Sequence, residues 1–268
     1  MSNQATAGLV LGGLGLFFGL FLTYFFLKFH VEENPLVASL LSLLPGANCG
    51  ACGEAGCAGF AQKLAEGKAI PARCVALSQE NRKQLCQLLG LSETEVKAVV
   101  ARVFCSGGVS AVRRFTTNLQ DCRALHALFD THLACPSGCL GLGSCVRSCP
   151  FGAIRMGRLL PEVDEKKCVG CGRCVEVCPK EIIKLTLLEK KVYVACSSHD
   201  RGATVMKVCK IGCIGCGRCV RICPEKAITL ENNLAVIDPE RCTNCGRCVP
   251  ECPRKVIFVA PEVYQPLA

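Results

Sequence analysis

The sequence predicts an α+β chain built from an N-terminal transmembrane helix, a small glycine-rich domain and two tandem modules of one cysteine-rich phrase. Three observations predict it. Residues 8–27, GLVLGGLGLFFGLFLTYFFL, run twenty positions without a charge. Glycines crowd the cysteines between Cys49 and Cys74. The phrase CIGCGRCVRICP at 213–224 recurs nearly unchanged at 168–179 and 242–253. The expected boundaries are 1–30 for the anchor, 31–77 for the glycine-rich domain, 78–121 for a helical connector, 122–188 for the first module and 189–268 for the second.

Composition removes several classes. In a short secreted chain, 25 cysteines would spell a disulfide scaffold. Here the count is odd, the chain has 268 residues, and most cysteines stand in C-x-x-C steps suited to metal. Tryptophan is absent and aromatics are few, which argues against stacking on nucleic acid bases.

The anchor has the length needed to cross the hydrocarbon core. A secretory signal fits poorly, because MSNQATA carries no basic residue and no small-residue cleavage site follows. Gly8, Gly12, Gly15 and Gly19 share one helical face, a stripe that admits another membrane helix or is simply tolerated in lipid. Lys28 just after the span, and the cysteines' need for a reducing compartment, set the bulk of the chain in the cytoplasm. The span holds no Asp, Glu, His, Lys or Arg, so it offers no ion path of its own.

In the glycine-rich domain, Cys49, Cys52, Cys57 and Cys74 are spaced C-x2-C-x4-C-x16-C. Structural zinc prefers two separated pairs, whereas three of these ligands share one loop, a pattern that favours an iron–sulfur cube. The connector begins with a helix, SQENRKQLCQLLG, stopped by Gly90 and followed by a capping box, SETE, at 92–95. Cys86 sits beside Leu85, Leu88 and Leu89 and reads as a small buried hydrophobe, not a ligand.

The repeat has the bacterial ferredoxin spacing C-x2-C-x2-C-x3-C-P, in which three cysteines hold one [4Fe–4S] cube and the fourth ligates its neighbour. Cys213, Cys216, Cys219 and Cys223 recur 29 residues on as Cys242, Cys245, Cys248 and Cys252. Cys139, Cys145 and Cys149 recur at the same interval as Cys168, Cys174 and Cys178. The modules are in turn offset by 74 residues, an interval that also pairs Cys122 with Cys196 and Cys135 with Cys209, the mark of duplication.

Exchange of the fourth cysteine within each module gives four dicluster-ferredoxin cubes. They are Cys213, Cys216, Cys219 with Cys252; Cys242, Cys245, Cys248 with Cys223; Cys168, Cys171, Cys174 with Cys149; and Cys139, Cys145 with Cys178. The last lacks a ligand, because Leu142 stands where the second module has Cys216. Cys135 can replace it, leaving Cys105, Cys122, Cys196 and Cys209 for a further cube. Equally, Cys105 can replace it, leaving Cys122, Cys135, Cys196 and Cys209. Either way the chain holds about six [4Fe–4S] clusters, with Cys86 left out. At about −2 per cluster with its thiolates, six would turn the formal +9 into roughly −3, so the basic balance compensates buried anions. Ile154, Ile183, Ile228 and Ile257 follow the fourth cysteines and are expected over the clusters; Arg173, Arg218 and Arg247 share one slot in C-G-R-C, as charge compensation or as surface residues.

What is missing also informs. There is no dinucleotide fingerprint, no nucleophile with its base, and none of His30, His126, His132 and His199 forms a ligand pair. Many redox centres without a substrate pocket describe an electron relay.

The order of parts, with NCGACGEAGCAGF, GCLGLGSCVRSCPFGAI and GCIGCGRCVRICPEKAI, resembles the B subunit of the Rnf complex over essentially the whole chain. The resemblance implies a component of an ion-translocating ferredoxin:NAD+ oxidoreductase of the bacterial inner membrane that couples electron flow to Na+ or H+ translocation. It implies soluble ferredoxin, the flavin-bearing and other membrane subunits, and the lipid bilayer as partners, and no nucleic acid. Electrons are expected to enter at the C-terminal modules and leave through the cluster of Cys49, Cys52, Cys57 and Cys74. The competing readings are an electron-transfer subunit of another membrane oxidoreductase and a zinc-stabilised membrane scaffold.

Overall fold

One long helix, α1 (Asn3–Lys28), opens the computed structural model, which describes residues 3–28, 34–92 and 98–260. Gly8–Lys28 is long and apolar enough to cross a bilayer, and none of it is buried against the rest of the chain. A helix apolar on every face has no water-facing side and needs lipid or another helix around it. Lys28 closes it with its ammonium 5.6 Å from the Tyr24 ring centre, an amphipathic pair suited to the membrane interface. His30 and most of the expected capping box, residues 93–95, lie outside the described residues.

The glycine-rich domain packs α2 (Pro35–Leu43), α3 (Cys57–Ala65) and α4 (Gln79–Leu89), so it runs past the expected bound at 77 and takes in the helix expected to open the connector. Each end is fixed by a local device. Asn34 accepts the Leu36 amide ahead of α2, Ser78 accepts the Asn81 amide at the start of α4, and Gly90 ends α4 in the left-handed conformation expected of it. Leu40, Phe60, Leu64 and Leu85 are the fully buried core, each contributing about 1.5–3 kcal/mol. Asn81 also donates to the Leu43 carbonyl at 2.8 Å, tying α4 to the end of α2. Cys86 is buried on α4.

From residue 99 one unit is laid down twice. The first copy runs β1 (Val99–Val103), α5 (Cys122–Phe129), α6 (Ser144–Arg147), β2 (Ile154–Met156), β3 (Pro161–Val163), α7 (Arg173–Glu176) and β4 (Ile183–Leu187). The second runs β5 (Val192–Val194), α8 (Gly202–Val208), α9 (Arg218–Ile222), β6 (Ile228–Glu231), β7 (Leu234–Ile237) and β8 (Ile257–Val259). In each copy the first strand pairs antiparallel with the last, Val103 opposite Ile183 and Val194 opposite Ile257. The middle hairpins match as well, with Ile154 opposite Val163 and Ile228 opposite Ile237.

This pairing corrects two expectations. Residues 99–103 are not connector: as β1 they form an edge of the first module. Cys122 is also not the counterpart of Cys196. Cys105 follows β1 as Cys196 follows β5, in VFCS and VACS, so the offset there is 91 residues and not 74. The difference of 17 lies between Cys105 and Cys135, 30 positions apart, against 13 between Cys196 and Cys209. The added length carries α5.

The copies meet through reciprocal bonds. Ser106 Oγ donates to the Ala195 carbonyl and Ser197 Oγ to the Phe104 carbonyl, both at 2.8 Å. Equivalent residues exchanging equivalent bonds describe a local two-fold axis. Buried Arg102 reinforces the join: it pairs with Glu165 at 3.1 Å, donates to the Lys190 carbonyl and lies over the Tyr193 ring.

Candidate metal centres

Among the described residues five cavities run through the repeat, and four cysteines wall each one. In the first module, Cys149, Cys168, Cys171 and Cys174 form the outer site, and Cys122, Cys139, Cys145 and Cys178 the inner site. In the second, Cys213, Cys216, Cys219 and Cys252 form the inner site, and Cys223, Cys242, Cys245 and Cys248 the outer site. Between the modules, Cys105, Cys135, Cys196 and Cys209 line a junction site. A sixth group lies in the glycine-rich domain, where Cys74 is close enough to Cys49, Cys52 and Cys57 to feel their charge. Thus all 24 expected cysteines fall into quartets, and the fourth cysteine crosses between motifs of the same module.

The loops achieve this by alternating backbone hand. After the first cysteine of each motif, the second and fourth positions have positive φ: Gly141 and Gly143, Gly170 and Gly172, Gly215 and Gly217, Asn244 and Gly246. Such alternation curls successive amides inward into a nest for an anion. Amides donate to sulfur accordingly, from Cys139 to Cys105 Sγ and from Cys213 to Cys196 Sγ, both at 3.4 Å. In the glycine-rich domain Asn48 organises the loop, its Oδ1 accepting the Cys57 amide at 2.8 Å. A Cβ at Gly56 would stand 2.8 Å from that same oxygen, which is why glycine precedes α3. Ile154, Ile183, Ile228 and Ile257 are buried and each lines a cavity, and Arg173, Arg218 and Arg247 stand on the cavity rims.

The inner site of the first module departs from both sequence assignments. Its fourth wall is Cys122, not Cys135 or Cys105, which belong with Cys196 and Cys209 in the junction. Ser144 explains the change. It occupies the slot held by arginine in the other motifs, its hydroxyl donates to Asp121 at 3.0 Å, and it accepts the Cys122 amide at 2.8 Å. Asp121 in turn caps α5 by accepting the Ala124 amide, and Arg147 holds the Gln120 carbonyl. The amide and hydroxyl bonds to Asp121 hold its carboxyl below the ordinary carboxylate range. The start of α5 is therefore pinned on the loop that lacks a thiol, and Cys122 fills the corner left by Leu142.

Electrostatics test the fit of a cluster. Burial, then the neighbouring thiols, pushes Cys135 and Cys174 up to about 12, and Cys74, Cys105, Cys145, Cys219 and Cys248 up to about 11. Four bare thiolates in such a pocket would repel, so the quartets call for bound cations to hold them deprotonated. An all-sulfur donor set in an apolar cavity with inward amides suits iron–sulfur chemistry. His126 pairs with Asp130, His132 with Arg113 and His199 with the Asn232 carbonyl, apart from every quartet.

The six groups stand in single file. Cys171 in the first outer site feels Cys49, and Arg173 beside it donates to the Cys49 and Asn48 carbonyls at 3.1 Å. Cys174 feels Cys145 of the inner site, and Cys139 of that site feels Cys105 of the junction. Cys196 feels Cys213, and Cys248 in the last site feels Cys219.

Comparisons with known proteins agree with this geometry. Two 4Fe-4S dicluster domain families match residues 212–256 and 167–228, the LdpA Fe-S cluster-binding domain matches 135–187, and a putative Fe-S cluster family matches 44–76. The match at 167–228 takes one motif from each module, because the same phrase recurs; in the structure the cysteines pair within modules. Among curated proteins, the chain is 46% identical to the B subunit of a proton-translocating ferredoxin:NAD(+) oxidoreductase complex of Clostridium ljungdahlii, over 84% of this chain and 81% of the relative. It is 42% identical to the B subunit of an ion-translocating oxidoreductase complex of Methanosarcina acetivorans, over 87% and 89%. A third relative is the B subunit of the Na(+)-translocating ferredoxin:NAD(+) oxidoreductase complex of Acetobacterium woodii, at 38% over 87% and 71%.

Proposed function

This chain belongs to the family of B subunits of ion-translocating oxidoreductase (Rnf) complexes, iron–sulfur proteins of electron transfer, and from that premise we propose that it carries six [4Fe–4S] clusters in single file between soluble ferredoxin and the membrane. The observation that carries the reading is the unbroken succession of cysteine quartets from Cys49 to Cys252, each within electrostatic reach of the next.

The bound clusters supply one-electron chemistry. The chain's own residues do the rest. Thiolates hold each corner, inward amides offset the negative charge, and Ile154, Ile183, Ile228 and Ile257 exclude water, which together set the potentials. The direction proposed is from the second outer site to the glycine-rich site beside α1, because that last site alone is tethered to the membrane helix by a short stretch of chain. Cluster domains then lie on the cytoplasmic side of a bacterial inner membrane. Coupling to Na+ or H+ falls to partner subunits, since the span from Gly8 to Leu27 has no Asp, Glu, His, Lys or Arg.

Anaerobically prepared chain is expected to be brown and to hold about 24 iron atoms, four per cube. Colourless protein with zinc would overturn the reading. In the assembled complex, Cys57→Ala should leave the other quartets reducible by ferredoxin while transfer to the membrane subunits stops. Unchanged transfer would show that the glycine-rich site is not the exit.

A further inference from the structure

In the first module Arg173 reaches from its cysteine loop and donates Nε to the Cys49 carbonyl and Nη2 to the Asn48 carbonyl. A nest that turns its amides inward to sulfur leaves its carbonyls facing out, and these two belong to the cysteine loop of the neighbouring site. The docked loop covers Cys171, which is half-buried and feels Cys49.

The duplication gives the second outer site the same parts, with Arg247 for Arg173 and Cys245 for Cys171. Among the described residues none covers them. Cys245 and Arg247 are both exposed, and Arg247 has no hydrogen-bond or ion-pair partner there. One end of the row is thus docked on a cysteine loop through an arginine fork. The other end shows the same fork and the same corner thiol to solvent.

We infer that the surface around Arg247 and Cys245 docks a small soluble iron–sulfur protein, whose cluster-holding loop offers carbonyl oxygens to Arg247 as Asn48 and Cys49 offer theirs to Arg173. The inference rests on the relay proposed above and fixes where it is loaded. With clusters bound, Cys223, Cys242, Cys245 and Cys248 would hold the acceptor, which would take one electron from the partner's cluster with no bond formed or broken.

The test uses the purified full-length chain with its clusters, and a bacterial 2[4Fe–4S] ferredoxin as probe. Arg247→Gln should lower kcat/KM for reduction by ferredoxin, and the affinity for oxidised ferredoxin measured by calorimetry, by about tenfold or more. Its iron content and its reduction by a small-molecule reductant should match the unaltered chain. Arg221→Gln removes another exposed charge from the neighbouring motif, outside every cysteine-walled cavity, and should change either value less than about twofold. An equal or larger loss for Arg221→Gln than for Arg247→Gln, or no loss for Arg247→Gln, overturns the docking site while leaving the relay standing. Failure of ferredoxin to reduce the unaltered chain overturns both.

Discussion

Cys122 shows how far one residue can stand from the motif it completes. The loop from Cys139 to Cys145 keeps positive φ at Gly141 and Gly143, so it curls as its three sister loops do even without a thiol at Leu142. The missing corner comes instead from the first turn of α5, pinned by Ser144 and Asp121. Cys122→Ser should therefore cost about four of about 24 iron atoms, leaving the remaining quartets filled. Adding Leu142→Cys to that variant should restore them, because the shared curl presents position 142 where its sister loops present Cys171 and Cys216. Iron and acid-labile sulfide counts decide it. Full iron in the single variant would return the fourth ligand to some other cysteine.

At the scale of elements, β1 is held against the cysteine loops at one crowded point. A Cβ on Gly170 would stand 2.5 Å from Val99 Cγ2 and 2.6 Å from the Val99 carbonyl, at φ +70. Gly170→Ala thus adds a collision to an unfavourable backbone and should destabilise by about 2–4 kcal/mol. Gly67→Ala, at φ +68 but with open space around it, should cost only about 1 kcal/mol. Urea midpoints of the reduced apo chain check the pair; equal losses would mean that β1 is not packed on this loop. The sister position is Asn244, also at positive φ, whose Oδ1 accepts the Lys191 and Val192 amides and so clips β5 to its loop by another means. These details were not legible in advance. Helix α4 was readable because Gly90 stops it, and the isoleucines over the cavities because they follow each fourth cysteine, whereas α2 carried no signal that was read. β1 was hidden by the 17 added residues around α5, which broke the interval and made Cys122 look like the twin of Cys196. The quartets within motifs were readable from spacing alone, but the junction, one cysteine from each of four separate segments, needed the two-fold meeting of the modules.

For the whole molecule, the cysteine quartets are part of the cores that hold the repeat together. Among the described residues the sheets have only two strands each, a size that is marginal in water on its own, and in the repeat the buried side chains gather around the cysteines. Without clusters the folded chain must keep buried thiols protonated, and their raised values tie its stability to pH. Cys135 and Cys174 stand at about 12, Cys74 and Cys105 at about 11, above the ordinary 9.0 expected once the chain unfolds. A group raised in the folded state contributes fully below its unfolded value, and that contribution fades as pH climbs toward the folded one. The reduced apo chain should therefore be most stable below pH 9 and lose stability progressively between about 9 and about 12. In the loaded chain the same sulfurs are bound to iron and have no proton to lose, so its stability should hold over the lower part of that window. Urea midpoints by far-ultraviolet circular dichroism, taken anaerobically near pH ~8 and near pH ~10.5 on both forms, separate the cases. Parallel declines in the two forms would mean that lysine and tyrosine titration, not the thiols, governs the alkaline limit, and that the quartets are not where folding and metal binding are coupled.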